Sequence, residues 1–89
     1  MPYIAKVERE RLDPIIDAIL FHVHGLSDGN YNYLLTKILL GLYDVENYAT
    51  FNRVIGLLEC VKQEFYRRKV APYEDSKCKL NGEVYDNVV

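Results

Sequence analysis

The sequence is poor in the features that mark several classes of protein. It has only two cysteines, Cys60 and Cys78, too few for the disulfide framework that holds small secreted domains together. The longest nearly apolar stretch, Tyr33 to Tyr43, is interrupted by Lys37 and falls short of the roughly 20 residues a membrane helix needs. The opening MPYIAKVERERLDP puts charges where a signal peptide carries its apolar centre. There is no surplus of positive charge: a net charge of −2 argues against nucleic-acid binding through the whole surface and leaves room only for a local basic patch. Repeats, low-complexity segments and linkers are also missing. Together these absences predict a soluble protein of the reducing cytoplasm with no membrane partner.

What is present is apolar side chain, nearly half of the 89 residues, too much for a disordered tail. A chain of this size makes one domain, 1–89, burying roughly 60–65% of its unfolded surface. Asp13-Pro14 reads as an N-cap followed by proline at the first helical position. From there Leu12, Ile15, Ile16, Ile19, Leu20 and Val23 recur at helical spacing until Gly25, which suits a left-handed C-cap. This predicts a first helix over about 13–24, preceded by an extended Met1–Ile4 and a short helical turn at Glu8–Arg11. Ser27-Asp-Gly-Asn30 is turn chemistry that also caps a second helix, 28–44, with a main stripe of Tyr31, Leu34, Leu35, Ile38, Leu39 and Leu42. Tyr33 and Leu40 fall nearly opposite that stripe, at about 100° per residue, so this helix is apolar on two sides.

A third helix is predicted over about 50–70, with Phe51, Val54, Ile55, Leu58, Val61 and Phe65 on its buried side. Gly56 interrupts it, at a cost of roughly 1 kcal/mol against alanine, and implies close approach of another backbone. Pro72 should stop or kink the helix. The tail, 71–89, reads as irregular, with a short helical turn after the proline, a tight turn at Asn81-Gly82, and room for a minor strand at Glu83–Tyr85 paired with Tyr3-Ile4. The predicted class is all-α, three main helices in a small bundle.

The strings MPYI, LDPIID, LSDGNYNYLLTKILLGLY, IGLLECVKQEFYRRKVAPYED and NGEVY resemble a small uncharacterised family of short helical proteins from bacteria, archaea and phage-related genomes. The resemblance spans nearly the whole chain. It implies no catalytic residues, since no activity is assigned to the family. It also implies an accessory or host-modulating role more than a metabolic one.

Three groupings carry chemistry. Lys62 falls within the apolar arc of the third helix, with Glu59 and Tyr66 beside it. An ammonium there must reach outward or pair with a carboxylate, which makes Glu59–Lys62 a boundary ion pair. The sharper alternative is a Glu59/Lys62/Tyr66 pocket for a small ligand or for hydrolysis, with Glu74 and Asp75 contributed by the tail. Arg53, Arg67, Arg68 and Lys69 offer a weak nucleic-acid patch with Tyr66 and Tyr73 for stacking. Their simpler role is the Glu64–Arg68 i,i+4 pair and cations complementing the carbonyls at a helix end. His22 and His24 with Cys60 and Cys78 supply zinc-type donors, but two positions apart on a helix the histidines diverge. Cys60 reads as a bystander thiol.

No phosphate loop, nucleophile elbow or metalloprotease helix occurs; no metal or other cofactor is expected. Tyr31, Tyr33, Tyr43, Tyr48, Tyr66 and Tyr73 suit half-buried rims, and Phe21 points away from the first helix's stripe. The sequence therefore predicts a non-enzymatic module that forms a homodimer through Phe21, Tyr33, Leu40 and Tyr43 and binds an unidentified protein partner. The candidate binding residues, taken from the pocket and the basic patch, are Glu59, Lys62, Tyr66, Arg67, Arg68 and Tyr73.

Overall fold

A computed structural model describes residues 1–85. In chain order it comprises α1 (Lys6–Val23), α2 (Asp28–Leu42), α3 (Tyr48–Phe65), a π-helical turn (Tyr66–Val70) and α4 (Ala71–Asn81). No strand occurs among the described residues. The class is all-α with three main helices, as the periodicity predicts. The Glu83–Tyr85 segment does not form the strand for which the sequence left room.

The first helix corrects the boundary expected at Asp13. It begins at Lys6, and Pro14 lies inside it. Lys, Glu and Arg are good helix formers, and the Lys6–Glu10 pair, 3.8 Å apart at i,i+4, supports the added turns. The amides of Glu8 and Arg9 donate to the Ala5 carbonyl at 3.0 and 3.1 Å. Pro14 has no amide to offer the Glu10 carbonyl, and an interior proline costs about 3 kcal/mol. At the other end the expected stop holds. Gly25 takes φ +87°, and the His24 amide reaches the Leu20 carbonyl at 2.9 Å.

Ser27 caps α2 as predicted, its hydroxyl accepting from the Asn30 amide at 3.3 Å and from Asn30 Nδ2 at 2.6 Å. The Tyr31 hydroxyl donates to the Val23 carbonyl at 3.0 Å, tying the start of α2 to the end of α1. For α3 the cap is Asn47. Its side-chain oxygen accepts from Thr50 N–H at 2.8 Å, and its backbone carbonyl accepts from Phe51 N–H at 3.1 Å.

Pro72 neither stops the helix nor opens an irregular tail. Phe65, Val70 and Ala71 all keep right-handed helical dihedrals, and the Ala71 amide bonds to the Tyr66 carbonyl five residues back. Widening one turn to i→i+5 makes the space a proline ring needs against the preceding carbonyls. The chain then continues as α4 to Asn81, where Gly82 at φ +98° ends it.

The chain divides into two units, Met1–Ile55 and Gly56 onward. In the first, the α1 stripe is not covered: Leu12, Ile15, Ile16 and Leu20 are exposed, with Ile19 and Val23 half-buried. In the second, the helix runs on through the π-turn into α4 without folding back, so no element of that unit turns onto Leu58, Val61 or Phe65. The buried side expected for α3 is therefore corrected. Only Val54 of that set is half-buried, and the other five are exposed. Among the described residues no hydrophobic side chain is buried; Thr50, at 8% exposed, is the one buried residue. Gly56 has no backbone against it either: a Cβ there would meet nothing within 4 Å.

Replacing Pro14 by alanine restores the Glu10 bond and removes the ring clash. Pro14→Ala should raise stability by on the order of 1–3 kcal/mol, seen as a melting temperature several degrees higher with unchanged or increased helical circular dichroism.

Candidate functional site

In the first unit, α2 and α3 enclose an open groove of about 330 Å³ lined by Thr36, Leu39, Leu40, Tyr43, Phe51, Val54 and Ile55. The loop between them is short and pinned by the Asn47 cap, so the end of one helix stands beside the start of the next. Six of the seven lining residues are apolar or aromatic. Arg53 lies over the Tyr43 ring, 5.3 Å from its centroid, a cation–π contact that holds the guanidinium at the groove's edge. This is not the face expected to pack. The predicted α2 stripe of Tyr31, Leu34, Leu35, Ile38, Leu39 and Leu42 meets the groove only through Leu39, while Leu40 and Tyr43 lie more than a quarter-turn from that stripe's centre.

The residues expected in self-association fall as follows. Leu40 and Tyr43 line the groove and sit together. Leu40 remains 61% exposed, and Tyr43 is half-buried under Arg53. Tyr33 is 67% exposed and Phe21 83%; Phe21 meets the His22 ring edge-on at 5.4 Å. Phe51, Val54 and Ile55 complete the groove. Sequence reasoning assigned them to a closed core, and their helical spacing was the signal for a shared face.

In the second unit, Glu59 and Lys62 pair at 3.6 Å, with side chains 50% and 74% exposed. Gln63 Nε2 also donates to Glu59 at 3.1 Å. That hydrogen bond first, and the Lys62 charge second, hold the Glu59 carboxyl below the usual carboxylate range. The pair lies in water, where solvent screening leaves such contacts weak. Tyr66 opens the π-turn and is exposed.

The sequence points to Arg68 as the partner of Glu64; in the structure Arg67 donates to it, Nη2 to Oε1 at 2.7 Å and Nε to Oε2 at 3.4 Å, a two-pronged contact that suits the planar guanidinium. Lys77 lies over the Tyr73 ring at 5.5 Å, covering one face that stacking would use. Arg53 is likewise drawn to Tyr43.

A second cleft, about 410 Å³, lies between α4 and the segment after it, and its walls include Glu74, Asp75, Cys78 and Glu83 but none of Glu59, Lys62 or Tyr66. Here the Cys78 thiol donates to Glu83 Oε2 at 3.2 Å. Glu83 Oε1 accepts from the amides of Val84 and Tyr85 at 2.9 and 2.8 Å. The carboxylate, chiefly through its hydrogen bond, pushes the thiol pKa up; the Tyr85 amide foremost, then the thiol, pulls the Glu83 pKa down. Nothing in the sequence marks this pair beyond Gly82, whose reversal brings the two side chains together. Cys60 is free and exposed. His24 has left the helix at the C-cap, yet no three His, Cys, Asp or Glu side chains converge as a metal site among the described residues. No described helix is long and apolar enough to cross a membrane.

The geometry defines an all-α protein with short-range polar contacts and an open apolar groove. The chain belongs to the family described as Domain of unknown function (DUF6899), whose model matches residues 1–84. Comparisons with curated proteins and with solved structures give no match.

Two outcomes follow from the second unit. Glu83→Gln lowers the Cys78 pKa, so alkylation of Cys78 by iodoacetamide near pH 8, followed by mass spectrometry, should speed up severalfold while Cys60 is unaffected. Lys62→Met should shift stability by less than about 0.5 kcal/mol, within a few degrees in a thermal melt.

Proposed function

We propose that this protein is a non-enzymatic helical module that self-associates and acts by binding another protein in the cytoplasm. One observation carries this reading: the helices hold apolar residues at core-like spacing, yet none of the described ones is buried. Exposed apolar patches beyond a few hundred Å² are uncommon on monomers and mark interaction surfaces. The half-covered tyrosines fit the same reading, because an apolar ring with a polar tip suits an interface. Two free thiols, Cys60 and Cys78, suit a reducing compartment. An accessory role of the phage-associated kind accords with a small module that works by contact.

Light scattering coupled to size-exclusion chromatography tests the proposal over a dilution series. The expected mass is twice the 10.4 kDa of one chain at high micromolar concentration, falling towards one chain on dilution, with a melting temperature that drops in parallel. A single-chain mass throughout counts against it.

A further inference from the structure

We propose that Asn81–Gly82, at the end of α4, is a site of spontaneous covalent modification. The asparagine closes to a cyclic imide and opens with water to isoaspartate and aspartate, and the isoaspartate form releases the contacts that hold the next segment against α4. This goes beyond the self-association reading and does not depend on it.

The chemistry follows from the residue after the asparagine. The Gly82 backbone nitrogen, on giving up its proton, attacks the Asn81 side-chain carbonyl carbon. A C–N bond forms there, and the side-chain amide nitrogen leaves as ammonia. Water then adds to either imide carbonyl. Opening at the former side-chain carbonyl leaves aspartate; opening at the former backbone carbonyl leaves isoaspartate, with the main chain routed through the side chain. No electrons change hands, and water is the co-reactant. A Cβ on the following residue hinders the attack, glycine has none, and Asn81 is the only asparagine followed by glycine. Asn30, Asn32 and Asn47 precede tyrosine and Asn52 precedes arginine. The first three also have their side chains engaged, Asn30 with Ser27, Asn32 with Thr36 and Asn47 with the Thr50 amide.

The structure supplies access and a weak lock. Asn81 is the last residue of α4 and is exposed, as are Gly82 and Glu83. Helical backbone at Asn81 holds the attacking nitrogen away from the side chain, and the Gly82 N–H is committed to the Cys78 carbonyl at 2.8 Å. That bond belongs to a terminal turn, the part of a helix that frays first. Leu80 beside it is 75% exposed, so little packing holds the turn closed. Fraying by one turn frees the nitrogen and the backbone together. The product then alters its surroundings. Asn81 lines one cleft with Glu74, Asp75 and Glu83, so the new carboxylate joins three others and faces the negative end of the α4 dipole. Isoaspartate also adds a carbon to the main chain before Gly82. The added length moves the Gly82 N–H off the Cys78 carbonyl and carries Glu83 away from the Cys78 thiol, which it otherwise meets at 3.2 Å.

The experiment incubates the full chain for days slightly above neutral pH, in buffer and in concentrated urea. Mass spectrometry maps amide loss, and methylation by an isoaspartyl methyltransferase counts isoaspartate. The expected result is conversion at Asn81 in both solvents, severalfold faster in urea where the terminal turn is open, with Asn30, Asn32, Asn47 and Asn52 unchanged in buffer. An Asn81 that stays intact in buffer overturns the site, whatever it does in urea. Equal rates in the two solvents overturn the lock at Gly82. A second measurement follows alkylation of Cys78 by iodoacetamide in the purified isoaspartate form and in freshly purified Asn81→Asp, which carries the same charge on an unaltered main chain. Cys78 should react severalfold faster than wild type in the isoaspartate form and no faster in Asn81→Asp. A wild-type rate in the isoaspartate form, or an equal rise in Asn81→Asp, overturns release by the lengthened main chain.

Discussion

The structure depends on where its apolar side chains are kept from water. Helices of 15 and 18 residues are marginal on their own, because a helix's stability in a protein comes mainly from burying one face. Ordering each residue costs about 1–2 kcal/mol of backbone entropy, and full burial of a leucine, isoleucine or phenylalanine returns about 1.5–3 kcal/mol. Here Leu20, Phe51, Ile55 and Phe65 each keep half or more of their surface in solvent, so much of that return is left unclaimed within the described chain. A surface that covered them would stabilise the helices as it bound, making folding and association one equilibrium.

Against that open demand, the local contacts set how the chain turns. The Ser27 and Asn47 caps each satisfy an otherwise unpartnered amide at a helix start, a contribution of about 1 kcal/mol apiece. Gly25 and Gly82 reverse the chain at helix ends. The Tyr31–Val23 bond clamps the first corner, and the Arg53–Tyr43 contact sits at the second. None of these buries much apolar area. They fix directions, and so decide which faces are neighbours: the Asn47 corner is why Leu39, Leu40 and Tyr43 share a groove with Phe51, Val54 and Ile55.

The parts of the fold legible in the sequence are those that short-range chemistry determines. Gly25 as a C-cap, Ser27 as an N-cap and the all-α class each follow from residues within a few positions of one another. Asp13-Pro14 misled because a cap signal competes with whatever precedes it, and the Lys6–Arg11 run is itself strongly helical. Pro72 misled for a related reason: a π-turn spends one extra residue and lets the helix pass. Periodicity identified Phe51, Leu58 and Phe65 as residues that want cover, but says nothing of what supplies it. Glu59–Lys62 was legible as an i,i+3 pair on one helix; Cys78–Glu83, which depends on the chain reversing at Gly82, was not.

Two kinds of residue make the same demand from opposite directions. Gly41 and Gly56 stand inside helices, where each costs roughly 1 kcal/mol against alanine, and a Cβ at either would meet nothing within 4 Å. Close packing inside the described chain therefore does not account for them. Leu40 and Ile55, each next to one of these glycines in sequence, project apolar side chains into water and lack contacts for a complementary reason. A side chain with nothing to cover it and a missing side chain with nothing to make room for would both be accounted for by the proposed association, in which the covering surface is one the chain does not itself provide. That surface would have to approach α2 and α3 closely enough to use the absence of a Cβ and be apolar enough to dry the leucine and isoleucine. Helix faces meet both conditions, and this chain carries several.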